Sequence, residues 1–405
     1  MTIKSTIDRH GSRHRTLLIV SLALVAGVLI FAFFEYSLLA TDSGSGPMAI
    51  GTDGSTHVKS ATELRNAINN VKVGGHVKIV LNEDISLDYV LTIPADTDIT
   101  LTSTDKTNFF RLVGLDGQNT IVVNSGAVLT LDGIIVTHKS DYSGQGVLVD
   151  GDATLIMIDG KISGNSNPYT AGGGVNIRTN GVFKLVGGEI SDNIAAGSGG
   201  VYTAGVFEML GGKITNNQAK RSSGGGVYVD SRGSFTLTNG EISNNTATCG
   251  GGVYVINGQF SMSGGIIANN IALSGGGVHN NGVFAMSGGK ITNNQATTWS
   301  GYKGGDLINN AASYGASGGG VYEGPHGSFI MSGGEISGNT AAYGGGVAVC
   351  GQALTRPEGV AVWQSQFTMR NGAITNNTAT QEGGGIYCRY GTYKKSGGEL
   401  GNNIG

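Results

Sequence analysis

Hydrophobic and polar positions along this chain follow two different periods, and the change falls near residue 75. Upstream, Leu64, Ala67, Ile68 and Val71 recur at helical spacing behind Ser60-Ala61-Thr62-Glu63, which fits a helix-capping box, and Gly74-Gly75 stop the run. Downstream the period is two: Val77, Ile79 and Leu81, then Leu91 and Ile93, then Ile99 and Leu101. One short amphipathic helix ahead of many strands suits a plug, because a stack of strands has an open apolar end that needs covering. The spacing therefore predicts an N-terminal capping helix within 57–75 and irregular coils over 76–143.

From about residue 144 to 405 one unit recurs with a typical period of 24 to 28 residues: Gly-Gly-Gly-Val-Tyr-Val, a short turn, then Gly-x-Phe-x-Met-x-Gly-Gly-x-Ile-x-x-Asn-x-Ala. The Phe position reads Leu155, Phe183, Phe207, Phe235, Phe260, Phe284, Phe329, Phe367 and Tyr393. The Ile position reads Ile162, Ile190, Ile214, Ile242, Ile267, Ile291, Ile336, Ile374 and Leu400, and an Asn follows each at the third residue, from Asn165 to Asn403. Each unit holds three apolar stretches that cannot bury themselves alone, whereas stacked units can. Strands recurring in register are parallel, and parallel connections are right-handed in nearly all cases. The expected fold is all-β: a right-handed parallel β-helix, three faces to a coil, rising about 4.8 Å per turn. Neither the Leu pattern of a leucine-rich repeat nor the longer period of a propeller blade is present.

The column before the repeat Ile reads Lys161, Glu189, Lys213, Glu241, Ile266, Lys290, Glu335, Ala373 and Glu399, with no two successive copies of like charge, as stacking at sheet spacing requires. The Asn column is read as structural, an Asn at each coil taking the left-handed turn conformation and hydrogen-bonding along the ladder. Two insertions break the rhythm, one between Asn294 and Gly318 and one between Val349 and Phe367. They carry both tryptophans, Trp299 and Trp363.

Ahead of the repeats, Leu17 to Phe34 is an 18-residue apolar run broken only by Ser21. Lys4, Arg9, Arg13 and Arg15 precede it, and the next basic residue is Lys59. That asymmetry keeps 1–16 cytoplasmic and the β-helix extracellular. The run's length favours a retained transmembrane anchor within 17–40; secretion after signal cleavage at the poor site Leu38-Leu39-Ala40 is the alternative. Residues 41–56, rich in Gly, Ser and Asp, read as a flexible linker.

Composition narrows the chemistry. With 72 Gly, 5 Pro and 39% hydrophobic residues the chain is neither collagen nor disordered. A net charge of −3 leaves no footprint for nucleic acid. Cys249, Cys350 and Cys388 are too few for a disulfide scaffold and form no Cys-x-x-Cys pair; unpaired thiols are the simpler reading and a Cys350–Cys388 bridge the sharper one. Asn244 and Asn376 begin Asn-x-Thr sequons.

The Gly-Gly-Gly-Val and Ile-x-x-Asn pattern resembles adhesin-like β-helix proteins of microbial cell surfaces. It is also similar to polymorphic outer-membrane protein repeats, which carry Gly-Gly-Ala-Ile and Phe-x-x-Asn, and more broadly to the pectate-lyase-like superfamily. The resemblance covers roughly 57–405 and implies a surface-exposed β-helix. Ile here replaces the motif Phe, and a carboxy-terminal membrane barrel is missing from the sequence, which argues against an autotransporter route.

Related folds host polysaccharide lyases and glycoside hydrolases, whose chemistry needs clustered acids. Asp150, Asp152 and Asp159 share one unit but read as turn residues, and His138, His279 and His326 fall in different coils without acid partners. No catalytic centre, metal site or cofactor motif is read from the sequence. The glycine triplets precede strands, unlike phosphate-binding loops. After the repeat Val stand Tyr202, Tyr228, Tyr254, His279 and Tyr322, which alternation sends outward. They are expected to form an exposed aromatic stripe, either a stacking ladder or, with Trp299 and Trp363, a surface for glycans or cell-surface proteins. The functional expectation is a membrane-tethered, surface-exposed adhesive or structural protein. The alternatives are a carbohydrate-active β-helix enzyme and a spacer that binds nothing.

Overall fold

The computed structural model describes residues 49–139, 144–169, 171–297, 317–356 and 359–405; within 353–363 it describes only the course of the backbone. The Leu17–Phe34 run and its flanks, and Trp299, lie outside the described residues. Among the described residues no helix is long and apolar enough to cross a membrane.

The repeats fold as a right-handed parallel β-solenoid of about 12 turns. Register follows the sequence columns. Val201 pairs with Val227, Phe207 with Phe235 and Ile214 with Ile242, each on a different face of the coil. The phenylalanines lie inside one tube, Phe183 to Phe367, all no more than 1% exposed. Their rings stack at centroid distances of 5.0, 4.7, 4.9, 4.6, 4.4 and 4.6 Å, with interplanar angles of 10° or less. Such offset-stacked rings add to the area term that already dominates burial of a Phe.

A coil has one more ladder than the three faces expected. After most ladder Asn residues a short strand forms, two residues long at Ile194–Ala195, Gln218–Ala219 and Gln295–Ala296 and longer at Thr340–Tyr343 and Thr378–Glu382. Alternation turns the consensus Ala inward, where Ala195, Ala219, Ala272, Ala296, Ala341 and Ala379 are all buried.

The Asn column is a ladder, but its conformation differs from the expectation. The left-handed residue is the one before it: Asp192, Asn216, Asn244, Asn269 and Asn293 all have φ of 56–57°. The ladder Asn itself is buried. Its side-chain Nδ2 donates to Oδ1 of the next Asn at 2.8–3.0 Å from Asn165 through Asn377. The backbone N–H also donates to that next Oδ1, as Asn217 N does to Asn245 at 2.9 Å. One side chain thus satisfies a backbone N–H and a carbonyl of the preceding rung, as Asn245 does for Asn217 N and Ile214 O, which a dry corner demands.

The glycine triplets make this approach possible. The first glycine is left-handed, as at Gly224 (φ 73°). A β-carbon on the second or third would meet the next rung: Gly225 against the Gly251 carbonyl at 2.5 Å, and Gly226 against the Gly252 carbonyl at 2.7 Å and Asn245 Nδ2 at 3.1 Å. On the outside the alternating charges meet as expected, with Lys161–Glu189 at 3.4 Å and Lys290–Glu335 at 3.0 Å.

At the other end a helix spans Ala61–Asn69, with Leu64, Ala67 and Ile68 buried in the same core as the strands. Ser60 Oγ accepts from Glu63 N at 3.2 Å. The return bond of the capping box goes one residue earlier than the motif has it, from Lys59 N to Glu63 Oε2 at 2.9 Å.

Candidate functional site

The face that carries Val-Tyr-Val is built by alternation. Val201 and Thr203 point into the core and Tyr202 points out, and the same holds one rung on for Val227, Val229 and Tyr228. In-register pairing then stacks the outward rings. Centroids are 5.4 Å apart for Tyr202–Tyr228, 5.0 Å for Tyr228–Tyr254, 5.0 Å for Tyr254–His279 and 4.5 Å for His279–Tyr322.

Two features of the expected stripe are corrected. Tyr202, Tyr228 and Tyr254 are half-buried, but His279 is 5% exposed and Tyr322 fully buried, so the open part of the column ends at Tyr254. The second correction concerns presentation. Successive rings lie against one another at sheet spacing, so Tyr228 and Tyr254 present mainly ring edges and phenol oxygens to solvent rather than flat platforms.

The electrostatics of the open part are simple. Tyr202 Oη donates to Asp230 Oδ2 at 2.6 Å, while Asp230 Oδ1 accepts from Ser231 N at 2.8 Å. Burial, and then the Asp230 carboxylate, push the Tyr202 phenol far up, and burial with the same carboxylate pushes Tyr228 up to about 12. Both stay neutral donors near neutral pH. His279 is pushed down to about 3 by burial and is a neutral imidazole, with Ser274 Oγ 2.9 Å from its Nδ1. Two rungs from Tyr228, Arg178 pairs with Asp150 at 3.1 Å at the edge of the same face.

The second insertion forms an antiparallel hairpin, Gln352–Arg356 with Gly359–Trp363, in which Trp363 pairs with Gln352. The side chain of Trp363, like all of Trp299, lies outside the described residues.

The other singled-out groups are separate. His138 is buried at the start of the Asn ladder, with Nδ1 2.8 Å from Asn165 Oδ1 and Nε2 2.9 Å from the Gln118 carbonyl. His326 and Asp152 are left-handed turn residues, and Asp159 caps its own turn through Gly160 N at 2.7 Å. Among the described residues no group of three or more His, Cys, Asp or Glu is placed to hold a metal ion. Cys249, Cys350 and Cys388 are free thiols, and burial pushes Cys350 up to about 12.

Sequence reasoning missed two constellations. Near the first strands, Ser55 Oγ lies 2.5 Å from Asp53 Oδ1 and 3.3 Å from His57 Nε2, and His57 Nδ1 lies 3.0 Å from Asn82 Oδ1. The order is that of a nucleophile, a base and an orienting amide. However, Ser55 is 1% exposed and its hydroxyl sits under Gly51, where a β-carbon would stand 2.8 Å away. The serine proton is held by a carboxylate that Ser55 and Lys78 keep well below the ordinary range. The arrangement locks a turn and gives a substrate no approach to the oxygen.

The second is a buried carboxyl, Glu323, beside Asn280. Both occupy a column otherwise filled by residues such as Val149, Ile177, Val229, Val255 and Val349. Reading that column down the repeats is the signal that finds them. Compared with protein-family models, curated proteins and solved structures, the chain matches none.

Proposed function

We propose that this chain is a membrane-tethered, outward-facing solenoid with an adhesive role, binding elongated glycans along the Tyr202–Tyr228–Tyr254 face. The observation that carries the reading is the half-open ring column itself. It offers neutral phenol edges at 5.0–5.4 Å intervals with the Asp230 acceptor among them. A ligand with repeating hydroxyls, lying along the solenoid axis, meets one polar ring edge per rung, close to the ~4.8 Å strand spacing. Hydrogen bonding at ring edges, rather than stacking on ring faces, is the contact available there. The Leu17–Phe34 run with its basic flank supplies the tether, and the Ala61–Asn69 helix packs into the core at the first strands of the stack. The repeats' resemblance to adhesin-like β-helix proteins points the same way.

The test is retention of the purified solenoid on a glycan array, against the double variant Tyr228→Ser/Tyr254→Ser. Wild type is expected to be retained and the variant lost, with circular dichroism unchanged. Equal retention of both, or none by wild type, rejects the face. Incubation with acidic polysaccharides, with and without calcium, should leave no unsaturated chain ends; their appearance would mean a lyase instead.

A further inference from the structure

The inward column of the first face is apolar along most of its length; Thr203 interrupts it once, and Asn280 and Glu323 interrupt it in two adjacent rungs. Register pairs Val255 with Asn280, Asn280 with Glu323 and Glu323 with Val349. Asn280 and Glu323 are both 0% exposed. Asn280 Nδ2 stands 3.1 Å from Glu323 Oε1 and 2.9 Å from Oε2. The same amide closes its own turn, donating to the Gly282 carbonyl at 3.2 Å and accepting from Gly282 N at 3.1 Å. The carboxyl is pressed against Gly327, whose missing β-carbon makes the room. One rung above that glycine sits Ser365, its hydroxyl buried and without a hydrogen-bond partner among the described residues. This corner of the core therefore holds a carboxyl facing one amide donor, in surroundings that penalise a charge heavily.

The titratable groups packed around it are few. Tyr322 and His279 lie on the outer side of the same two strands, Cys350 ends the strand above, and His326 stands in the exposed turn. Burial raises the proton affinity of Glu323 well above the ordinary carboxylate range, and the Asn280 amide opposes this only in part.

We infer that Glu323 and Asn280 form a proton-gated joint in the solenoid: with the carboxyl protonated the rungs at 278–286 and 321–331 stay shut, and on ionisation they part. The step is loss of one proton from Glu323 to solvent, after which water entering the parted rungs hydrates the carboxylate. Because Tyr322 and His279 sit on the outer side of the same strands, opening remodels the buried end of the ring column. The inference does not depend on the glycan reading.

Between the ordinary carboxylate pKa and the raised one, each pH unit shifts the balance toward the open form by up to about tenfold. Hydrogen exchange by mass spectrometry on the whole chain, at pH 5 and pH 9 and corrected for intrinsic rates, reads this directly. Peptides over 278–286 and 321–331 are expected to lose at least about tenfold more protection at pH 9 than peptides over 201–209 and 227–237. Glu323→Gln is expected to remove that excess. Equal protection at the two pH values in wild type would overturn the inference, and so would an excess that persists in Glu323→Gln. If that variant misfolds, Glu323→Val, which restores the column's usual residue, is judged by the same two outcomes.

Discussion

Two neighbouring asparagines, Asn244 and Asn245, separate the two jobs done at each corner, and exchanging each for alanine should give very different costs. The Asn245 side chain makes four hydrogen bonds. Its Oδ1 accepts from Asn217 N at 2.9 Å and Asn217 Nδ2 at 3.0 Å, and its Nδ2 donates to the Ile214 carbonyl at 2.9 Å and Asn270 Oδ1 at 3.0 Å. Truncation leaves the buried Asn217 N–H without its acceptor. Asn217 Nδ2 keeps Ile190 O and Thr215 O, and Asn270 Oδ1 keeps Asn245 N, so those groups lose strength but are not stranded. One orphaned buried donor at about 1–3 kcal/mol, with three further bonds at about 0.5–1.5 kcal/mol each, puts Asn245→Ala near 3–7 kcal/mol. Asn244 is exposed, with φ 57°, and its side chain is not needed for that ladder. Asn244→Ala should cost only the left-handed preference, about 1 kcal/mol, and Asn244→Gly little or nothing. Urea unfolding followed by far-UV circular dichroism measures both. Hydrogen exchange of the 241–247 peptide catches any opening confined to adjacent rungs, since solenoids need not unfold in one step. The reasoning is refuted if Asn245→Ala lies within 1 kcal/mol of wild type, or if Asn244→Ala is the costlier change.

Two further predictions concern the triplet glycines and the histidine of the ring column. In Gly252→Ala the new β-carbon would stand 2.6 Å from the Gly277 carbonyl and 3.0 Å from Asn270 Nδ2, neither free to move, so a loss of about 2–3 kcal/mol in urea is expected. Gly54→Ala meets open space and should cost only the strain of φ 77°, about 1 kcal/mol; equal costs would discredit the close-approach argument. His279 has a folded pKa depressed to about 3 from an ordinary value of 6.5. The stability this confers is complete above pH 6.5 and is lost as pH falls toward 3, by up to about 1.4 kcal/mol per pH unit. His279→Tyr, which continues the ring column, should raise the melting temperature at pH 4 relative to pH 7 in comparison with wild type, and an unchanged slope would reject the assignment.

The register of this fold was legible because the columns are long. Phe183 through Phe367 and Ile162 through Ile374 recur without exception, and in a parallel stack such columns have one consistent alignment. The corner geometry was harder because two asparagines stand side by side at Asn216-Asn217, Asn244-Asn245 and Asn269-Asn270, so the type alone does not say which one turns the chain. The coils reading Gly164-Asn165 and Gly338-Asn339 decide it, since glycine marks the left-handed place and leaves the ladder to the second residue. The fourth ladder escaped notice because two residues are too few to show a period. The burial of His279 and Tyr322 was not legible at all. Alternation fixes which side of a sheet a residue faces, but not what lies over that side.

These outcomes converge on one stretch of the solenoid. The strands Val278–Met286 and Val321–Glu323 carry Asn280 and Glu323 inside and His279 and Tyr322 outside, and the two insertions interrupt the rungs around them. Elsewhere the core columns are mostly apolar, the Asn ladder and Thr203 aside, and several charges pair on the surface, where such pairs contribute little and respond weakly to pH. Here the buried His279 and Glu323 act with opposite sign. As pH falls from 6.5, His279 withdraws stability while Glu323, protonated ever more readily in its dry corner than in the unfolded chain, restores it. The wild-type curve is therefore flatter than either group would make it alone, and each contribution emerges only when the other residue is replaced. Removing Glu323 should steepen the acid side of the curve, and removing His279 should leave a protein whose stability rises on mild acidification. A pair of single variants that both left the curve unchanged would mean that these rungs are hydrated enough to absorb either charge, and the dry-core description of this stretch would fail.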